Sequence, residues 1–256
     1  MGKTFIILPD QHAHPDFNNK RADYAAQLII DVKPDIVVNL GDAADMASLS
    51  TYDKGKRDFH GRSYRRDIDA HLDFQERLWG PVKARKKKMP YTVVLEGNHE
   101  HRIERALDLS PELVGTIGFK DYDFDSYYDT VVRYDGATPG VIDIEGILFA
   151  HYFITGVSGR PIGGERPAHM LLDKTGTSCV AGHLHTFDYA TRTNINGTVR
   201  NGLICGVYQD YDAPWAGAIN HLWRAGIAIL RNVENGDYDL QWVSLKALKE
   251  EYEGKI

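Results

Sequence analysis

Five short segments of this chain end in side chains that bind metals. They are Asp10-Gln11-His12, Gly41-Asp42-Ala43-Ala44-Asp45, Gly97-Asn98-His99-Glu100, His151, and Gly182-His183-Leu184-His185. Carboxylate, carboxamide and imidazole donors in one set suit manganese, iron or zinc better than calcium or magnesium. Any one of these segments is weak evidence, because a lone core histidine is usually only hydrogen-bonded. Their joint order along the chain is far more specific.

The elements before these segments explain how they could meet. Each follows an apolar, partly β-branched run: Phe5–Leu8, Ile36–Leu40, Tyr91–Leu95, Ile147–Ala150 and Ser178–Ala181. Such runs predict buried strands. Ligands at the ends of several strands converge on one rim of a sheet, where α/β proteins place their sites. Gly41, Gly97 and Gly182 are expected to let the chain turn tightly there. Helices are predicted from about Asn18 to Asp31, from about Arg66 to Lys87, and from near His99. The β-α-β-α-β-α opening argues for α/β layering. After Asp129 the chain predicts mostly antiparallel strands, with Glu145-Gly146, Asn196-Gly197 and Asn235-Gly236 as turns. Two sheets packed face to face with outer helices accommodate both halves.

The chain has 256 residues, of which 43% are apolar and 26% charged. That supports one large core, and a single domain over residues 1–256 is expected, with an insertion at about 46–89. No apolar run approaches the roughly 20 residues of a membrane helix. The first strand begins at Thr4, leaving no visible leader, and Cys179 and Cys205 lie in strand-like runs as buried thiols. A cytoplasmic protein without a membrane partner is expected. The net charge of −6 weighs against a general duplex-DNA binder. Two basic runs stand out, Lys54–Arg66 and Lys83–Lys88. Each is either a solvated face or a phosphate-steering rim beside the metals.

Taken together, the five segments resemble the calcineurin-like metallophosphoesterase superfamily, whose motifs run D-x-H, G-D-x-x-D, G-N-H-E/D, H and G-H-x-H; the type is prokaryotic or phage-encoded. The resemblance spans about Thr4 to His185. It implies a four-layer α/β fold, with two packed mixed β-sheets flanked by helices. It also implies two divalent ions about 3.5–4 Å apart. Manganese is the expected metal, with iron, zinc, nickel and magnesium as the other choices. Asp10, His12 and His185 would bind the first ion, and Asn98, His151 and His183 the second. Asp42 would bridge them. A hydroxide held between the ions would attack phosphorus, His99 would protonate the leaving oxygen as general acid, and Asp45 would orient His99. The chain departs from many relatives in having Ala13-His14 after His12, where they carry glycine. His14 is expected to be a bystander rather than a substrate contact, and Arg102 to form a surface ion pair rather than to reach a phosphate.

The metals define a reaction class and leave the ester open. The segment 46–89 carries Arg57, Arg62, Arg65 and Arg66 beside Tyr52, Phe59 and Tyr64. Arginine and tyrosine together suit phosphate and base contacts. These four arginines are the candidate substrate-binding residues. A second aromatic group, Tyr208–Trp215, is either a packed loop or a further contact. The acidic, aromatic stretch Phe119–Asp129 would repel polyanions if it lined the site. The expectation is a phosphodiesterase acting on nucleotides, cyclic nucleotides or nucleic-acid ends. The alternative is a phosphomonoesterase, including a protein phosphatase. A scaffold that keeps the fold without the chemistry is a third reading, which the complete ligand set opposes.

Overall fold

A computed structural model describes residues 2–85, 87–157 and 159–255. Its architecture is α/β, with two mixed sheets flanked by helices. The first sheet is built from β1 (Lys3–Leu8), β2 (Ile36–Asn39), β3 (Tyr91–Leu95), β4 (Thr130–Val132), β10 (Gly226–Glu234) and β11 (Asp237–Ser244). Its order is β11-β10-β1-β2-β3-β4. The four strands from β1 to β4 run parallel, and β10 and β11 close the edge antiparallel. The second sheet comprises β5 (Val141–Ile144), β6 (Ile147–Ala150), β7 (Ser178–Ala181), β8 (Phe187–Thr193) and β9 (Val199–Cys205). Its order is β5-β6-β7-β9-β8.

Period-two alternation decides which side chains face which layer. Phe5 and Ile7 point into the space between the sheets, with Val38, Leu95, Phe149, Val180 and Leu203. Ile6 and Leu8 point the other way, into a core with α1 (Lys20–Val32), α2 (Tyr64–Ala84) and α5 (Leu245–Tyr252). The outer face of the second sheet is covered by α4 (Pro167–Thr175) through Ala168 and Leu171. The remaining helix, α3 (Arg102–Leu109), follows the third ligand segment. It begins three residues later than expected, because residues 98–101 form a turn that carries Asn98 and His99.

Two elements are absent from the sequence reading, α4 and α5. Their signals are local. Pro167 opens α4, and Gly176 closes it in the left-handed conformation at φ 68°. Ser244 caps α5, its side chain accepting from the Ala247 N–H at 3.1 Å. Three of the pairings in the second half are parallel, β3–β4, β6–β7 and β7–β9, and the latter two form the middle of the second sheet. The three Xaa-Gly turns all close antiparallel hairpins. Much of segment 46–89 is the crossover helix between β2 and β3, and residues 46–63 form its irregular part. The stretch 119–129 does not line the ligand rim. Tyr122, Phe124 and Tyr128 are buried in the core, with Tyr122 and Phe124 edge-on to His71 and Tyr128 edge-on to Trp79. Among the described residues, no helix is long and apolar enough to cross a membrane. Cys179 and Cys205 are buried free thiols.

Candidate metal centre

The parallel strands of both sheets end at one rim. Pairing aligns Leu8 with Asn39 and Asn39 with Val94, so β1, β2 and β3 terminate together. Ala150 pairs with Ala181, which aligns β6 with β7. The residues just past these ends are Asp10, Asp42, Asn98, His151 and His183, drawn from both sheets. Metal-ligating atoms of Asp10, His12, Asp42 and His185 lie within 4.8 Å of one another. Those of Asp42, His151 and His183 do the same, so Asp42 belongs to both groups. A third group joins His12, Asp45 and His99.

The backbone is strained where these ligands sit. Asp10, His12, Asp42, His183 and His185 all have positive φ, from 23° to 67°. Such conformations are costly for non-glycine residues, and they persist only where the surroundings hold them. Two glycines are needed for another reason than the expected turn. A Cβ on Gly97 would collide with the Asp42 carboxylate, and one on Gly182 with that of Asp10. The carboxylates lie against bare backbone, and the N–H groups of the following loops hold them. His99 N–H donates to Asp42 Oδ1 at 2.8 Å, and His183 N–H to Asp10 Oδ1 at 3.0 Å.

The donor set suits cations. His151 Nδ1 lies 2.9 Å from the Leu40 carbonyl, so it carries the ring hydrogen. Its Nε2 lies 2.9 Å from Asn98 Oδ1 and 3.3 Å from Asp42 Oδ2, two acceptors that need either a proton on Nε2 or a cation between them. His12 Nε2 and His185 Nε2 face each other at 3.0 Å. Converging lone pairs repel unless a positive charge lies between them. The titration behaviour expresses the same demand. Burial opposes charge on His151, yet the carboxylates of Asp42 and Asp10 lift it to about 9. Burial lifts Asp10 to about 7, with His151 opposing and Asp42 adding to the rise. His183 is pushed down to about 3 by burial and by His151, and His185 falls well below the usual range by burial and His12. The neutral imidazoles of His183 and His185 beside buried carboxylates could hold a divalent ion, which would displace the proton of His151.

Glu100 is a part of this centre whose role the sequence did not disclose. It is fully buried, and its carboxylate accepts from the N–H groups of Asp42 (2.8 Å), Ala44 (3.0 Å) and Gly97 (2.9 Å). It ties the second ligand loop to the third. Burial and the nearby Asp42 charge push it up to about 7. Arg21 plays a similar part for the first loop. Its buried guanidinium donates to the Gln11 carbonyl at 2.7 Å and the Tyr208 carbonyl at 2.9 Å. No spacing rule in the sequence pointed to either contact, although a glutamate does close the third segment.

His99 meets Asp45 chiefly through backbone. Its Nδ1 is 2.6 Å from the Asp45 carbonyl, and the Asp45 carboxylate lies 3.4 Å from both His99 Nδ1 and His12 Nδ1. Among the described residues Arg102 makes no surface ion pair. It donates to the Asp45 carbonyl at 2.8 Å and to His99 Nε2 at 3.0 Å. His14 sits 4.0 Å from the Asp45 carboxylate, beside the stacked pair of Phe17 and Tyr211.

The two basic runs part company. Segment 54–66 begins near the ligand rim, but three of its four candidate arginines face carboxylates. Arg62 pairs with Asp53 at 2.8 Å, Arg65 with Asp69 at 3.0 Å and Arg66 with Asp16 at 2.7 Å, while Arg57 is exposed. The run at 83–88 leads into β3 at the end away from the ligands, so it is not a rim of this centre. Lys86 lies outside the described residues. A cavity of about 700 Å³ is also at that far end, lined by Ile29, Lys33, Val82, Arg85 and Met89 among others. It has no convergence of ligating groups, and the chemistry is better sought at the rim.

No family model matches the chain, and no curated protein matches it. Among solved structures it is similar to TT1561 of Thermus thermophilus, at 10% identity and a TM-score of 0.41, over 96% of this chain and 100% of that one. A second solved structure has 9% identity and a TM-score of 0.39 with the same coverage. Likenesses this remote say nothing about chemistry.

Proposed function

We propose that this chain is a metal-dependent phosphoesterase of the calcineurin-like superfamily, acting on diesters of nucleotides, cyclic nucleotides or nucleic-acid ends. The observation that carries the reading is the pair of ligand groups that share Asp42 at the common rim of two sheets. Asp10, His12 and His185 would hold one ion and Asn98, His151 and His183 the other. Bound there, divalent ions supply Lewis acidity, which acidifies water and draws charge from phosphoryl oxygens. Manganese heads the choices for this donor set, with iron, zinc, nickel and magnesium after it.

The chain's own residues supply position and protons. Glu100 and Arg21 hold the ligand loops so that the carboxylates are placed before any substrate arrives. The Asp45 carbonyl holds His99 by Nδ1, which leaves Nε2 as the atom that exchanges a proton with the leaving oxygen. Arg102 now occupies that nitrogen. In this reading its guanidinium moves onto a phosphoryl oxygen when the ester binds, and the freed His99 Nε2 takes up a proton from solvent, which it then passes to the leaving oxygen. The arginines at 57, 62, 65 and 66 would steer anionic esters to the rim.

One observation favours a second reading, a phosphomonoesterase or protein phosphatase. The carboxylates paired with Arg62, Arg65 and Arg66 cancel much of the positive charge that a polyanionic strand would use. Hydrolysis of an aryl phosphodiester against an aryl phosphomonoester, with added Mn²⁺, separates the two. Turnover of the diester at higher kcat/KM supports the first reading, and the reverse order the second. Two bound ions without turnover of either ester would leave a scaffold.

A further inference from the structure

We propose that Trp223 and Trp215 form a stacking platform beside the metal centre, which holds the nucleobase of the substrate's ester arm. The inference rests on the phosphoesterase reading and names the group that the site takes. Trp223 stands edge-on to the candidate ligand His185, with ring centroids 4.3 Å apart at 88°. Trp215 lies next to it at 5.6 Å and 57°. Trp215 is 67% exposed, and the neighbouring Ile219 and Leu222 are 55% and 65% exposed. Single exposed apolar residues are ordinary, but Trp215, Ile219 and Leu222 are exposed together in the segment that brings Trp223 to His185, and they call for an occupant.

The platform is held in place. Asn220 closes its loop, accepting from the Ala213 N–H at 3.0 Å and donating to the Ala213 carbonyl at 3.0 Å. The Arg224 N–H donates to the His185 carbonyl at 2.9 Å, tying the residue after Trp223 to the ligand itself. The rings are therefore set at a defined place relative to the centre. The loop residues Asp210 and Asp212 are acidic, and Asp210 already faces Arg21 and Lys249. With the charge of Asp210 taken up and no Lys or Arg between 208 and 223, this side offers a further phosphate no cation, whereas a neutral heteroaromatic ring needs none. A nucleoside phosphate has that shape, with its anion at the metals and its base one sugar away. Every base has a π-face, so stacking would bind bases with little choice among them.

The test compares ligands that differ only in the base. Tryptophan fluorescence and calorimetry on the full chain, with and without Mn²⁺, would follow AMP, adenosine and ribose 5-phosphate. AMP should bind roughly tenfold tighter than ribose 5-phosphate. Trp215→Leu should abolish that ratio and leave the ribose 5-phosphate affinity unchanged. This exposed substitution spares the core, and thermal unfolding of the variant checks that it does. Equal affinities for AMP and ribose 5-phosphate in the parent would overturn the proposal, as would a ratio that survives in Trp215→Leu. Concentration-dependent dimerisation lost in Trp215→Leu, without any preference for AMP, would show instead a protein contact and overturn it too. Failure of the phosphoesterase reading shows separately, as absence of Mn²⁺ uptake and turnover. A dinucleotide that binds no better than AMP would place the platform's use with single nucleotides, and one that binds tighter with nucleic-acid ends; both support a base-stacking site.

Discussion

Arg102 sits one helical turn beyond His99, and its Nη2 lies 3.0 Å from His99 Nε2. A guanidinium has only N–H groups to offer, so the imidazole nitrogen accepts. The ring hydrogen is then on Nδ1, facing the Asp45 carbonyl. His99 can donate from Nε2 only after Arg102 leaves it and the nitrogen takes up a proton from solvent. The two residues are thus parts of one device. His99→Ala should keep its metal and lose turnover by about 10²–10⁴-fold. The loss should be larger for alkyl than for nitrophenolate leaving groups, which need little protonation. Equal losses on both esters would reduce His99 to a positioning residue. Arg102→Ala should raise KM for every phosphate ester and lower kcat less than His99→Ala does.

Metal content gives the most direct check on the shared carboxylate. The parent chain, reconstituted with excess Mn²⁺, should approach two ions by elemental analysis. Asp42→Asn removes a charge from both ligand groups and should lower content at both. A parent chain that stays at zero ions would end the metal reading, and chelation of the loaded protein should abolish turnover.

Glu100 makes a prediction about stability. Glu100→Ala leaves three buried N–H groups, those of Asp42, Ala44 and Gly97, without their acceptor. Each unmet donor costs about 1–3 kcal/mol, so the variant should lose roughly 3 kcal/mol or more in urea unfolding. Glu100→Gln retains one acceptor oxygen and should lose less. A midpoint unchanged in Glu100→Ala would mean that the loops hold without it.

His71 should make stability depend on pH away from the metal centre. It is fully buried, its Nε2 is 3.1 Å from the Tyr122 carbonyl, and burial lowers it from an ordinary 6.5 to about 4. The unfolded chain therefore binds a proton at His71 that the folded chain refuses. Its contribution is intact above pH 6.5 and is lost as pH falls toward about 4. The size is about 3 kcal/mol over that window. His71→Gln should flatten the pH dependence of unfolding between those limits. A profile identical to the parent's would refute the assignment.

The arginines at 57, 62, 65 and 66 should act on binding rather than on chemistry. Their neutralisation should raise KM and weaken its salt dependence, with kcat little changed. Arg62 also donates to the Ala47 carbonyl at 2.9 Å, so the triple variant at 57, 65 and 66 isolates the charge effect. If KM and its salt slope match the parent's on a nucleotide diester, the segment is a solvated face and the monoesterase reading moves ahead.

The sequence by itself determined the types of the candidate ligand residues, their order, and the strand that precedes each of them. Those follow from local rules, since a short apolar, partly β-branched run specifies a buried strand and the residue past its end reaches the sheet rim. The three Xaa-Gly hairpins were legible for the same reason. Tertiary structure decided what joins residues far apart in the chain. Glu100 reaches Asp42 across 58 positions and Arg102 reaches Asp45 across 57. Both contacts exist only because β2 pairs with β3 in one register. The aromatic stretch 119–129 turned inward, and the basic run at 83–88 went to the far end of β3. Composition records that a residue is charged or aromatic, but strand direction and packing choose which end of the sheet it meets.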